Sequence, residues 1–249
     1  MISIHSVHDQ ELMRKSGQIL ASIINALVNQ VKPGVSLLEL EATADRLTKE
    51  AGATSAFLNY NGYKFNLCTS INQEVVHCPP TKRTLQDGDI VSIDAGVIYH
   101  GFYSDCAVTV PVGKVTDQAK RLIDVTRTSL YEIAKAQIKP GNTIGDIGHA
   151  IQTYVEAAGF SVVRSLVGHG IGKALHEEPS IPNFGKPHTG PKLKAGMTIA
   201  VEPMVNIGTP KVVFEDDGWR VVTADGELSA HFEHTFLVTE SGCEVLTQL

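Results

Sequence analysis

The chain repeats itself, and the repeat restricts its fold more than any other feature. Residues 31–52 read VKPGVSLLELEATADRLTKEAG and residues 138–159 read IKPGNTIGDIGHAIQTYVEAAG, so Lys-Pro-Gly and the closing Ala-Gly recur at a constant offset of 107. Ser36-x-x-Glu39 and Thr143-x-x-Asp146 have the spacing by which a hydroxyl and a carboxylate satisfy the free N–H groups of a helix's first turn. Each copy stops at a glycine, Gly52 or Gly159, the residue that turns left-handed at least cost. A second helical pattern precedes each copy: Leu12, Ile19, Leu20, Ile23, Leu27 and Val31 in the first, Leu122, Ile123, Leu130, Ile133, Ala134 and Ile138 in the second. A strand pattern follows each, DGDIVSID at 87–94 and AGMTIAVE at 195–202, at an offset of 108. A match that runs through helix, turn, helix and strand in the same order predicts one α+β domain, residues 1–249, made of two halves at about 8–111 and 116–240. A pseudo-two-fold axis would bring the matching strands together, each ending on an acid, Asp94 or Glu202.

Composition excludes several function classes. The net charge is -6 with no basic stripe, which argues against a nucleic-acid partner. Cys68, Cys78, Cys106 and Cys243 include no C-x-x-C pair, so they read as reduced thiols rather than a disulfide framework or a thiolate zinc site. The first residues, MISIHSVHDQELMRKSG, lack the apolar core of a secretory signal, and no apolar run nears the ~20 residues of a membrane span. The expectation is a cytoplasmic protein with no membrane contact.

Within the halves, acids stand where acids are costly. On the strand around 90–97, alternation puts Ile90, Ser92 and Asp94 on one face. An aspartate among β-branched residues is a poor strand former and expensive to bury unpaired. The next strand, SDCAVTV, carries Asp105, and the intervening YHGFY suits a hairpin turn at Gly101. In the second half, His169 lies among Gly168, Gly170 and Gly172, Glu202 meets Pro203, and Glu233 sits in the alternating HFEHTFLV. Singly, most carboxylates are solvated and most histidines merely packed. Together, four carboxylates and one imidazole sum to four negative charges, which two divalent ions would neutralise and which would otherwise repel one another.

These residues carry a specific resemblance. Asp94, Asp105 after ten intervening residues, His169 in GHGIG, Glu202 in AVEP and Glu233 in FEHT resemble the ligand set of the type I methionine aminopeptidases. The likeness extends through SINQEVVH, LQDGDIVSIDAGV, LHEEPSIPN, MTIAVEPM and DGWRVVTADGELSAHFEHT. It implies the "pita-bread" α+β fold, whose pseudo-two-fold symmetry agrees with the repeat. It further implies removal of the initiator methionine from nascent chains when the next residue is small, by a water held between two divalent ions (Mn, Fe, Co or Zn). Glu202 would then be both ligand and proton shuttle. His176 would face the scissile carbonyl and His77 the peptide nitrogen beyond it. Phe57, Tyr60, Tyr63, Cys68 and Trp219 would line the methionine pocket, and Asn72 and Ser229 would bind a monovalent cation. Transient ribosome association and a monomeric state are also implied.

Only 25 residues separate His176 from Glu202 and 30 separate Glu202 from Glu233, which leaves no room for the helical insertion of type II relatives. A helix beginning within about ten residues of the start points to a short form without the extra N-terminal domain of the proline-specific peptidases on this fold. The third reading, a binding module that has lost its metals, is disfavoured because every ligand and both histidines are present. The chain departs from the family at Cys78, at Tyr103-Ser104, at Phe57, which is larger than usual, and at His231, where glutamine is common. His231 stands two residues before Glu233, so a regular strand would place the imidazole beside a metal carboxylate.

Overall fold

Helix α1 (Val7–Gln30) begins where Ser6 accepts the Asp9 N–H and the Asp9 carboxylate takes the Ser6 N–H. It buries one face, Met13, Leu20, Ile23, Ile24 and Leu27. The computed structural model describes residues 2–248. Helix α2 (Leu37–Glu50) starts at the expected Ser36/Glu39 box and stops at Gly52, whose φ is +67°. Strands β1 (Thr54–Ser55), β2 (Leu67–Ile71) and β3 (Glu74–Val76) lead to the hairpin of β4 (Ile90–Tyr99) and β5 (Phe102–Pro111). Its two-residue turn is His100–Gly101 with φ of 49° and 83°, the left-handed pair a tight type I′ hairpin needs.

The second half opens with α3 (Asp117–Thr128), a π-helical segment Ser129–Ala134, and α4 (Lys135–Gln137). The expected helix over 117–138 is therefore bulged. Thr126 and Ser129 donate hydroxyl hydrogen bonds to the carbonyls of Leu122 and Thr126, both at 2.7 Å, drawing those carbonyls from the regular ladder. Helix α5 (Ile144–Ala157) follows the Thr143 cap, where the Asp146 carboxylate takes both the N–H and the hydroxyl of Thr143. Then come β6 (Ser161–Val162), β7 (Gly168–Gly170), β8 (Glu177–Ile181), β9 (Thr198–Val201), β10 (Met204–Asn206), β11 (Val212–Phe214), β12 (Val221–Thr223), β13 (Ser229–His231), β14 (Glu233–Val238) and β15 (Cys243–Val245).

The repeat survives into the hydrogen bonding. Gly34 N–H donates to the Leu85 carbonyl at 2.8 Å, and Gly141 N–H to the Leu193 carbonyl at 3.2 Å. Ser36 bridges Thr84 as Thr143 bridges Lys192. Gly88 and Gly196, both at positive φ, donate to the Val112 and Val238 carbonyls at 2.9 Å each. One expectation fails: Asp94 does not end its strand. The β4–β5 ladder runs five residues past it to Tyr99, whereas β9 stops at Val201, just before Glu202 and the ring of Pro203, which lacks an N–H.

The main sheet has the order β1-β4-β5-β14-β9-β7-β8, with β2 also on β4 and β15 on β14, all antiparallel. Within this sheet the halves meet where β5 pairs β14, a ladder only two pairs long, Ala107↔Glu233 and Cys106↔His234; outside it, β3 of the first half pairs β12 of the second. Two threonine hydroxyls finish the seam. Thr235 accepts from the Asp105 N–H and donates to its carbonyl at 3.0 and 2.9 Å; Thr109 does the same for His231 at 2.8 Å each. The largest apolar cluster lies around α3 and α5, with Leu122, Ile147, Ile151 and Phe236, and the next around α1 and α2, with Leu20, Leu40, Ile93 and Val97.

The C-terminal residues also tie the halves, because Leu246 lies against Gly17 of α1 and Arg14 pairs with Glu244 at 2.9 Å. A methyl group on Gly17 would overlap the Leu246 carbonyl. Helix propensity alone favours alanine over glycine by about 1 kcal/mol. The overlap is with backbone and cannot be relieved by a rotamer change, so Gly17→Ala should lower stability by about 1–3 kcal/mol. A urea midpoint equal to or above wild type would contradict this packing.

Candidate metal centre

Five adjacent strands each bring one donor to the same place. In sheet order, Asp94 comes from β4, Asp105 from β5, Glu233 from β14, Glu202 from the end of β9 and His169 from β7. All five line one cavity of about 290 Å³. The glycines around His169 are required by contact rather than by φ: a Cβ on Gly168 would overlap the Ala200 carbonyl, and one on Gly170 the Glu178 carbonyl. His169 Nδ1 lies 2.9 Å from the Gly170 carbonyl, so Nδ1 carries the proton and Nε2 presents its lone pair to the acids.

The donor atoms form two overlapping triads, Asp105–His169–Glu233 and Glu202–His231–Glu233, each with its ligand atoms within 4.8 Å of one another. Asp94 lines the same cavity outside both triads. His231 ends β13 and Glu233 opens β14, yet the imidazole still reaches the acids, and it is 1% exposed. The expectation that it lies beside Glu233 holds.

The electrostatics are those of acids crowded out of water. Burial, with the charge of Glu202, pushes Asp94 up to about 7 against the relief given by His231. Burial and the neighbouring carboxylates push Asp105 and Glu233 well above the usual range. Burial raises Glu202 too, but its contact with His231 and the nearby His169 outweigh that, and its net shift is downward. Asp94 Oδ1, Glu233 Oε1 and both nitrogens of His231 are buried without a hydrogen-bond partner. Carboxylate oxygens and imidazole nitrogens left in this state, in clusters with the spacing of a coordination sphere, fit divalent metal ions.

One wall of the cavity is largely apolar. Phe57, Tyr63, Cys68 and Trp219 form a wall, with Tyr63 edge-on to Trp219 at 4.9 Å between ring centroids. The bulky Phe57 fits because Gly96 faces it; a Cβ there would come within 2.9 Å of the Phe57 ring. Burial pushes the Cys68 thiol well up, so it acts as an apolar liner rather than a nucleophile. Cys78 is buried, with its thiol against the Val76 carbonyl. His77 and His176 also line the cavity, from its exposed side. His176 lies edge-on to His169 at 4.3 Å, and its Nδ1 is 2.7 Å from the Tyr60 hydroxyl. Asn72 and Ser229 lie outside this cavity. The Ser229 N–H donates to the Asn72 carbonyl at 2.9 Å, and the Asn72 side chain secures the start of β4 through Ile90 and Asp89.

Sequence reasoning missed two lining residues, Asn61 and Leu175. Asn61 stands at φ 47° in Tyr60-Asn61-Gly62, a turn signal visible in the sequence, and Leu175 directly precedes His176. An ion that binds only the folded protein at a hundred times its dissociation constant adds about 2.7 kcal/mol. The melting midpoint should therefore rise when Mn or Co replaces a chelator, and the rise should vanish in Glu233→Ala, which removes the carboxylate common to both triads. Equal midpoints for wild type under both conditions would contradict a preformed centre.

Comparison with known proteins agrees with this arrangement. The model of the metallopeptidase family M24 matches residues 11–240. Methionine aminopeptidase 1 of Bacillus subtilis is 47% identical over 249 residues, covering 100% of both chains. The crystal structure of a methionine aminopeptidase from Thermotoga maritima has a TM-score of 0.98 at 46% identity and covers 100% of both chains. The prolidase from Pyrococcus furiosus shares the fold, with a TM-score of 0.81 at 22% identity over 99% of this chain and 65% of its own. With the buried donor row and a match of this extent, the chain belongs to the metallopeptidase family M24.

Proposed function

We propose that this chain is a methionine aminopeptidase that removes the initiator methionine from proteins whose next residue is small. The observation that carries the reading is the row of four carboxylates and an imidazole beside an aromatic pocket, a combination that puts a hydrolytic centre next to a site for one apolar side chain. The donors come from both halves, so residues 1–249 act as one catalytic unit. Two ions balance the four acids, and the mixed oxygen and imidazole set suits Mn, Fe, Co or Zn. A monovalent cation is assigned to Asn72 and Ser229. Among the described residues no helix is long and apolar enough to cross a membrane. The resemblance supports a cytoplasmic monomer that meets nascent chains transiently at the ribosome.

Asp94, Asp105, His169, Glu202 and Glu233 would hold the divalent ions, which would supply Lewis-acid polarisation of the scissile carbonyl and lower the pKa of water. The remaining work falls to the side chains. Glu202 is the most accessible of the four acids, 13% exposed at its side chain against 3% for Glu233. It is the carboxylate placed to take a proton from water and deliver it to the leaving amine. In the tautomer whose Nδ1 accepts from the Tyr60 hydroxyl, 2.7 Å away, His176 presents Nε2–H to the carbonyl oxygen as negative charge develops there. His77 contacts the peptide nitrogen beyond the cleaved bond. Phe57, Tyr63, Cys68 and Trp219 hold the methionine side chain away from water.

General acid–base catalysis is typically worth ~10²–10⁴-fold, so Glu202→Gln should lose at least ~100-fold in kcat at saturating metal. Retention of a tenth of wild-type activity would remove Glu202 from the proton path. In a Met-X-Ser series, X = Gly, Ala, Ser, Pro, Thr, Val or Cys should be cleaved and X = Leu, Lys or Phe should not. Faster turnover of an Ala-Pro peptide than of Met-Ala-Ser would instead favour a proline-specific peptidase.

A further inference from the structure

We infer that His231 is itself a metal ligand, so that the centre holds two imidazoles rather than one. The inference rests on the metal-dependent reading above and deepens it. His231 Nε2 lies 3.5 Å from Glu202 Oε2 and 3.9 Å from Glu233 Oε2. His169 Nε2 lies 3.7 Å from Glu202 Oε1 and 4.0 Å from Glu233 Oε1. Each of the two glutamates thus turns one oxygen to each imidazole. These separations exceed a hydrogen bond. They lie within about 0.6 Å of the gap between two donors on one ion: with ligand bonds of 2.0–2.2 Å in a tetrahedral field, neighbouring donor atoms stand about 3.4 Å apart, a spacing the pairs reach by small side-chain adjustments.

The ring has no other employment. It is 1% exposed, and neither nitrogen has a hydrogen-bond partner, a costly state for a buried polar group. Its backbone is held in place on both sides: Thr109 bonds its N–H and its carbonyl at 2.8 Å, and β13 pairs β10 at Met204↔His231. Glutamine, common at this position among the resembling enzymes, offers only a weakly coordinating amide. The two triads share Glu233 and contain one imidazole each, which points to two ion positions with one imidazole apiece. A nitrogen donor at the second position favours Zn, Fe or Co there over Mn.

The test loads wild type and His231→Gln with cobalt and reads X-ray absorption for imidazole scattering and calorimetry for affinity. Wild type should bind two ions with an average of one imidazole per cobalt. His231→Gln should show half that average, with one of its two binding steps weakened by at least about 10–100-fold, the cost of losing even an outer partner of a ligand. An average of half an imidazole per cobalt in wild type, or unchanged binding steps in the variant, overturns the role of His231 and leaves the metal-dependent reading intact. The wild-type spectrum decides the matter alone should the variant not fold. A wild type that takes up no cobalt overturns both readings.

Discussion

Like charges held together out of water are the constraint on which the rest of this structure depends. Three of the four central acids, Asp94, Asp105 and Glu233, have their ionisation opposed by burial and by their neighbours. Such a cluster persists only where the surrounding sheet determines each position independently of the charges. The protein does this by giving each donor its own strand in an uninterrupted row. Strands about 4.8 Å apart bring side chains of neighbouring strands within reach of a common ion. The lateral spacing of the sheet thereby sets the distances between the donors.

The imidazoles answer the same constraint. His169 is oriented by the Gly170 carbonyl and His231 by its backbone, and both rings face Glu202 and Glu233. Glu202 stands at the point where both reach it, and it is the acid whose pKa falls. Close approach of backbones at Gly168 and Gly170 lets the His169 strand join the row, and Gly96 makes room for Phe57 beside it. The donor cluster and the aromatic wall thus share one cavity.

Much of this was legible in the sequence because the signals were local. The Ser36 and Thr143 caps, the stops at Gly52 and Gly159 and the His100–Gly101 turn each depend on a few adjacent residues, and each stands where the pattern put it. The cavity brings together all five expected ligands, both histidines and the five expected pocket residues. What stayed hidden depends on partners distant in sequence. The length of β4 beyond Asp94 is set by its ladder with β5, and the bulge after Thr128 by hydroxyls competing for helix carbonyls. The position of His231 was readable from its spacing to Glu233, but its closer approach to Glu202, 3.5 Å against 3.9 Å, follows from a strand pairing that periodicity does not encode. Asn72 and Ser229 are adjacent, and their side chains serve the protein's own hydrogen bonds.

The seam between the halves has a mechanical consequence. The β4–β5 hairpin is stitched by ten residue pairs, whereas β5 and β14 share two, flanked by the Thr109 and Thr235 hydroxyls. Asp105 and Glu233 stand on opposite sides of that short joint. Divalent ions held by both would act as rivets across it, turning a repulsive gap into a cohesive contact, so that the two lobes would resist shear as one body. The same ions would then serve the chemistry and fasten the fold.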